Sequence, residues 1–268
     1  MEELFVSKAR ELCDKCGFEL LFLCENGSRI KGYSCDDSDY DVRGIFIQTD
    51  YWTDEILNNK TKELKCTFVT GNGIDVEMVL WNITKALNLL IRRESSQCLI
   101  MHWLNSPVIY FETTKSQELT KFLNPRVNYQ NDIFGFLGMA REEMRKKIIK
   151  SENVRRTYKL IMYSWMNVLK IFQIIEYKCL LNVNILDILE DENLLNKYKI
   201  DKDSVLNIVK LRKGEKNFSD EEIEKLVSKN ICDLKENLSW LEETKFEKVQ
   251  CIDFNEECKI FFREFFNI

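Results

Sequence analysis

The sequence predicts an α+β fold: a small β-sheet domain with flanking helices, followed by an all-helical domain. Four strand-length runs rich in β-branched and aromatic residues fall in the first half: "FELLFLCE" (18–25), "DYDVRGIFIQ" (39–48), "GIDVEMVLW" (73–81) and "PVIYF" (107–111). From about Asn131 onward such runs give way to long segments with apolar residues at helical spacing. Between the two regimes, "LNPRVNYQN" (123–131) carries the Pro and Asn cluster of a linker, which sets the expected domains at 1–124 and 125–268.

Each element has its own signature. Phe5, Ala9 and Leu12 share one face of a first helix that ends before Gly17, and the compact apolar run 18–25 then leads into a loop at Gly27 and Ser28. Polarity alternates through 39–48 and 73–81, as in strands of one sheet. "NITKALNLLIRR" and "SSQCLIMHWL" read as helices ahead of the short strand at 107–111. In the second half, "FGFLGMAREEMRKKIIKS" and "VRRTYKLIMYSWMNVLKIFQIIEYKCLL" are helical with charged faces, and "FFREFF" (261–266) is a terminal amphipathic helix expected to dock on the core.

Composition narrows the function classes. With 268 residues and 45% apolar content the chain can bury a substantial core. Its 39 Lys and Arg against 44 Asp and Glu leave a net charge of -5, which excludes a global basic field for nucleic acid, so any anion site is local. Ten cysteines beside an acidic amphipathic N-terminus, without a basic leader, are expected to be free thiols in a reducing cytoplasm. Cys13 and Cys16 have metal-like spacing but no second pair, which makes them ordinary thiols of a helix. No apolar run reaches the roughly 18 residues of a membrane span. His102, the sole histidine, sits among Met101, Trp103 and Leu104 as a packed residue, which disfavours chemistry that needs a histidine base.

The chemistry-bearing residues follow the Gly-Ser loop. On a strand Asp39 and Asp41 point to one face, and two like charges so close repel unless a cation lies between them. Oxygen-rich pairs of this kind suit Mg²⁺. Asp75 and Glu77 repeat the geometry, and either supplies a third carboxylate. Gly27 permits a close turn, Ser28 offers a hydroxyl and an amide, and Arg29 to Gly32 is expected to open a short helix whose free amides bind phosphate. In a chain that is 31% charged an isolated Asp-x-Asp is unremarkable; the order strand, Gly-Ser, short helix, Asp-x-Asp strand, carboxylate strand is specific.

These residues resemble the DNA polymerase beta-like nucleotidyltransferase superfamily, and most closely its predicted RNA-ligase-associated branch. "GSRIKGYSCDDSDYDVRGIFI" is similar to that branch's Gly-Ser-Arg, Gly, Ser-Asp-x-Asp-x-Arg stretch, and the segment from Trp81 to Tyr110 to its helix, helix, Ser-Pro-Ile-Val-Tyr segment. The resemblance implies a small mixed sheet with helices, then a helical domain. It implies that Gly27, Ser28 and Arg29 hold the triphosphate, and that Asp39 and Asp41 ligate two Mg²⁺ or Mn²⁺ ions. Glu77 or Asp75 is the third carboxylate: spacing favours Glu77, while the superfamily usually has Asp there. Arg43 shares the aspartates' face and either contacts phosphate or pairs with a carboxylate. Relatives bind the β- and γ-phosphates with Lys, Arg and Tyr from a helix; Arg156, Lys159 and Tyr163 occupy one such face, with Arg155 the rival of Arg156.

The expected function is metal-dependent transfer of NMP from an NTP to a hydroxyl acceptor, an RNA end, a protein or a small molecule, with release of pyrophosphate. The alternatives are a catalytically weak nucleotide- or RNA-binding sensor module and a two-metal phosphohydrolase.

Overall fold

A computed structural model describes residues 1–48, 62–91, 99–148, 154–215, 218–250 and 252–266. The chain divides into two compact units: Met1–Ile30, Ser38–Asn128 and Gln250–Ile268 make the first, and Lys31–Asp37 with Tyr129–Val249 make the second. The units are therefore not consecutive stretches, as 1–124 and 125–268 are.

In the first unit, α1 (Glu2–Asp14) buries Phe5, Ala9 and Cys13 along one side. Strands β1 (Phe18–Glu25), β2 (Tyr40–Gln48), β3 (Glu63–Val69), β4 (Asp75–Asn82) and β5 (Ile109–Glu112) form a sheet in the order β3-β4-β2-β1-β5. The β2–β4 pair is parallel and the other neighbours are antiparallel, so the sheet is mixed. Because side chains alternate, Val42 and Phe46 of β2 and Val76, Met78 and Leu80 of β4 meet α1 in one core. Asp41, Arg43 and Glu77 emerge on the opposite face. Further along those strands that face turns apolar, with Ile45, Ile47 and Val79 buried. After α2 (Ile83–Ile91), α3 (Leu99–Leu104) sets Trp103 with its ring centre 4.3 Å from that of Trp81. His102 lies half-buried on α3.

Two elements carry little sequence signal. β3 is an edge strand of alternating exposure whose Glu63 is paired with Lys65 and Lys85. α4 (Thr114–Leu123) is announced by a Thr113–Ser116 capping box rather than by a strong apolar stripe. The terminal helix, Glu256–Phe266, docks as expected: Cys258, Phe262 and Phe265 are buried, and Phe261 stacks on Phe122 at 3.8 Å. The described cysteines are all free thiols. Among the described residues no helix is long and apolar enough to cross a membrane.

The second unit is helical: α5 (Asp132–Glu142), continued by a π-helical stretch Glu143–Ile148, then α6 (Val154–Tyr177), α7 (Ile185–Ile188), α8 (Glu192–Lys197), α9 (Lys202–Lys213) and α10 (Asp220–Glu243). α6 is the axis, with Trp165, Leu169 and Phe172 at most 1% exposed. The Trp165 indole N–H donates to Asn230 Oδ1 at 2.8 Å, and Asn230 Nδ2 donates to Ser204 Oγ at 2.9 Å, which ties α6, α10 and α9 through one buried amide. Lys31–Asp37 belongs to this unit: Tyr33 is fully buried edge-on to Tyr163, and the Lys31 carbonyl accepts from the Ile185 amide at 3.0 Å.

Lys170 on α6 is also buried, its ammonium 5.1 Å from the centre of the Phe136 ring. Burial, then the charge of Lys31, push it down to about 7 against the pull of Asp132. An unfolded lysine keeps its proton to near pH 10.5, so stability rises with pH between about 7 and 10.5, by at most about 1.4 kcal/mol per unit. Lys170→Met should remove this component. Urea unfolding at pH 6.5 and pH 9 should give a smaller difference in the variant than in the wild type, and an undiminished difference would mean that the ammonium is solvated.

Candidate active site

β1 ends at Glu25, which is 1% exposed. Its Oε1 accepts from the amides of Gly27 and Asp41, both at 3.0 Å, and of Asn26 at 3.3 Å; Oε2 accepts from the Tyr110 hydroxyl at 2.8 Å. The Glu25 carbonyl also accepts from Ser106 Oγ at 2.6 Å, and its amide donates to the Val108 carbonyl at 3.0 Å. Burial, reinforced by Glu25, pushes the Tyr110 phenol well above its ordinary range, so it stays a donor.

The next turn brings Gly27 against β2. A Cβ built on Gly27 would collide with the Asp41 carboxylate and lie 2.8 Å from Asp41 Cβ, so only glycine fits. The Gly27 amide is engaged by Glu25, and Ser28 is 5% exposed. The short helix expected from Arg29 to Gly32 is not formed: residues 28–32 make successive turns, and Gly32 ends them in the left-handed region at φ +83°. The reason is local. The Arg29 guanidinium reaches forward to the carbonyls of Ser38 and of Asp39 (3.2 Å) and lies 3.9 Å from the Tyr40 ring centre, so it folds the loop back on itself.

Asp39 is exposed and immediately precedes β2; Asp41 lies within the strand, half-buried. The parallel register puts Asp41 directly beside Glu77 of β4. Arg43 joins them, with Nη2 3.3 Å from Asp41 Oδ1 and 3.6 Å from Glu77 Oε2, while Nη1 donates to the carbonyls of Val42 and Glu77 at 3.1 Å. Arg43 thus contacts both carboxylates, which is one of the two roles expected for it. Asp75 starts β4, exposed and in register with Val69. Among the described residues, no three His, Cys, Asp or Glu side chains come together closely enough to hold a metal ion.

The expected phosphate-binding helix is α6 of the second unit. Arg156 is exposed on it, and Lys159 sits one turn before Tyr163, its ammonium 5.8 Å from that ring's centre. Lys31 approaches the same ring at 5.7 Å. Arg155 also falls on α6, and its side chain is outside the described residues.

A family described as RlaP, the RNA repair pathway DNA polymerase beta family, matches residues 1–253. The chain belongs to that family. RNA repair pathway DNA polymerase beta proteins are nucleotidyltransferase-like, and nucleotidyltransferases of the family generally use divalent metals. "Uncharacterized protein YcgL" of Bacillus subtilis (strain 168) is 24% identical over 148 residues, 54% of this chain and 53% of that protein, so the match spans about half of each. A solved nucleotidyltransferase-like protein from Exiguobacterium sibiricum aligns with 90% of this chain and 75% of its own, at 14% identity and a TM-score of 0.38. Family membership rests on the first of these matches.

Sequence reasoning missed Glu25, Tyr110 and Ser106. Ser106 and Tyr110 open and close the Ser-Pro-Val-Ile-Tyr segment that carries part of the family resemblance, without a role read for either, and Glu25 left only the signal of a carboxylate closing the apolar run "FELLFLCE".

The contact between Gly27 and Asp41 yields a test. Gly27→Ala should lower stability by about 1 to 3 kcal/mol, the usual range for overpacking, in urea unfolding. Gly138→Ala serves as the control: nothing lies within 4 Å of its added methyl on α5, and it should stabilise slightly. Equal effects of the two would show that the loop yields freely.

Proposed function

We propose that this chain is a metal-dependent nucleotidyltransferase that moves NMP from an NTP to a hydroxyl acceptor and releases pyrophosphate. The observation that carries this reading, in a chain of this family, is the pairing of Asp41 with Glu77. Two carboxylates sit side by side on one sheet face with a cation, the Arg43 guanidinium, drawn between them. The donor set fits a hard divalent ion, since carboxylate oxygens are the preferred ligands of Mg²⁺ and Mn²⁺. Asp39, Asp41 and Glu77, with Asp75 as the alternative to Glu77, would hold two such ions once Arg43 has left the pair and Asp39 has closed on it, since the three do not converge as they stand. Bound there, divalent cations would make the acceptor hydroxyl easier to deprotonate and offset charge developing on the departing pyrophosphate.

The chain's own residues do the rest. Glu77 or Asp75 takes the hydroxyl proton. Ser28, presented by the Gly27 turn, donates to the triphosphate, with Arg29 close by on the same loop. Arg43, released from the carboxylates, turns its planar guanidinium to a phosphate oxygen. Arg156 or Arg155, Lys159 and Tyr163 bind the β- and γ-phosphates. Among the three acceptors, the family's description favours an RNA end.

One observation favours a second reading. The Arg43 guanidinium already offsets part of the charge of Asp41 and Glu77, as a catalytically weak nucleotide-binding module would tolerate. Incubation with each labelled NTP, Mg²⁺ or Mn²⁺, and RNA with defined ends separates the two readings: labelled RNA with pyrophosphate release supports transfer, and nucleotide binding without label supports the module. Asp39→Asn combined with Asp41→Asn should abolish labelling with the fold intact by circular dichroism, and Glu77→Gln should slow transfer by at least about 10²-fold, more than Asp75→Asn does. Full labelling by the double variant would sink the metal reading.

A further inference from the structure

We infer that Glu25 is the positioning residue of this site, a hydrogen-bond acceptor that fixes the Gly27–Ser28 loop and the start of β2 in one geometry. What the site does rests on the function proposed above; how Glu25 shapes it rests on the hydrogen bonds alone. Gly27 belongs to the loop and Asp41 to the carboxylate strand, and the amides of both converge on one oxygen, Oε1. The Asn26 amide donates to the Asp41 carbonyl at 2.9 Å, so loop and strand are also joined directly beside this acceptor. Tyr110 of β5 holds the other oxygen and so fixes the orientation of the carboxyl group.

The arrangement has a chemical consequence. An amide turned inward to Glu25 cannot also face a phosphate, so Gly27 contributes shape to the loop and Ser28 is left to contribute donors. Asp41 likewise has its backbone pinned from behind while its side chain stays on the sheet face with Arg43 and Glu77. A buried acceptor that loses its carboxyl group leaves several amides unpaired at once, and both segments then relax to satisfy them.

Acceptor geometry and charge are separable by substitution. Glu25→Gln keeps Oε1 as an acceptor for the amides and offers an N–H to the Tyr110 oxygen, while it removes the negative charge. Glu25→Ala removes the acceptor altogether. Amide hydrogen exchange followed by NMR should show Gly27 and Asp41 exchanging at least about tenfold faster in Glu25→Ala and within about threefold of wild type in Glu25→Gln. Tyr110→Phe, a milder change in case the alanine variant does not fold, should accelerate the same two amides to an intermediate degree. In the labelling assay, Glu25→Ala should lose about 10- to 100-fold in kcat/KM, the usual effect of losing a group that orients metal ligands, and Glu25→Gln should recover most of that loss. Ser106→Ala removes the hydroxyl held by the Glu25 carbonyl and leaves the carboxyl group in place; it should lower Tm without accelerating those amides.

Native exchange of Gly27 and Asp41 in Glu25→Ala and Tyr110→Phe would overturn the inference. So would a glutamine variant as damaged as the alanine variant, because charge rather than acceptor geometry would then be what matters. A wild-type chain that labels nothing would sink the proposed function instead, and the exchange measurements would still decide the role of Glu25.

Discussion

Residues Tyr40–Phe46 of β2 pair in parallel with Val76–Asn82 of β4, and the alternation of side chains turns that register into a sorting of the sheet's two faces. Val42, Phe46, Val76 and Met78 go to the core under α1. Asp41, Arg43 and Glu77 go to the other side. A slip of one residue on either strand would drive a carboxylate into the apolar core and expose valine in its place. The apolar packing under α1 therefore stabilises the fold and sets the two carboxylates beside each other.

Two carboxyl groups at this corner are kept by opposite means. Glu25 is fully enclosed and satisfied by neutral donors, three amides and a phenol, so it holds its surroundings in place without a counter-ion. Asp41 is partly open and satisfied by a cation on a flexible stem, with its side chain 21% exposed and that of Arg43 15%. The first arrangement resists exchange of partners and the second permits it. A rigid scaffold under an exchangeable charge is what a site requires if a cationic partner is to come and go.

Much of this was legible in the residues. β1 has the bounds read from its apolar run, because Gly17 and the Gly-Ser turn punctuate it, and β2 begins one residue later than expected. Asp41 and Glu77 were legible as members of one face each, since alternation is a property of single strands. Their adjacency was not, because it depends on a parallel pairing between strands far apart in sequence. β3 was hidden by its edge position, where Glu63 and Lys65 face solvent and blur the strand pattern. The expected helix after Ser28 failed because Arg29 prefers carbonyls ten and nine residues ahead to a helical ladder. Glu25 left almost no trace: its donors come from 1, 2, 16 and 85 residues away, and the two distant ones make a convergence that local spacing cannot encode.

Residues Lys31–Asp37 lie between the Gly-Ser turn and the Asp-x-Asp strand, yet they are counted with the helical unit, and the chain changes unit at 30/31, 37/38, 128/129 and 249/250. Neither unit can be excised with a single cut. A fragment beginning at residue 129 would lack Tyr33 and the Lys31 carbonyl, and would leave a void beside Tyr163 and an unpaired amide at Ile185. A fragment ending at residue 128 would strip the stacked partner from Phe122. Domain dissection, split-protein complementation and circular permutation of this chain therefore have to respect an interlaced topology, in which the peptide joining the two signature motifs is itself part of the helical unit.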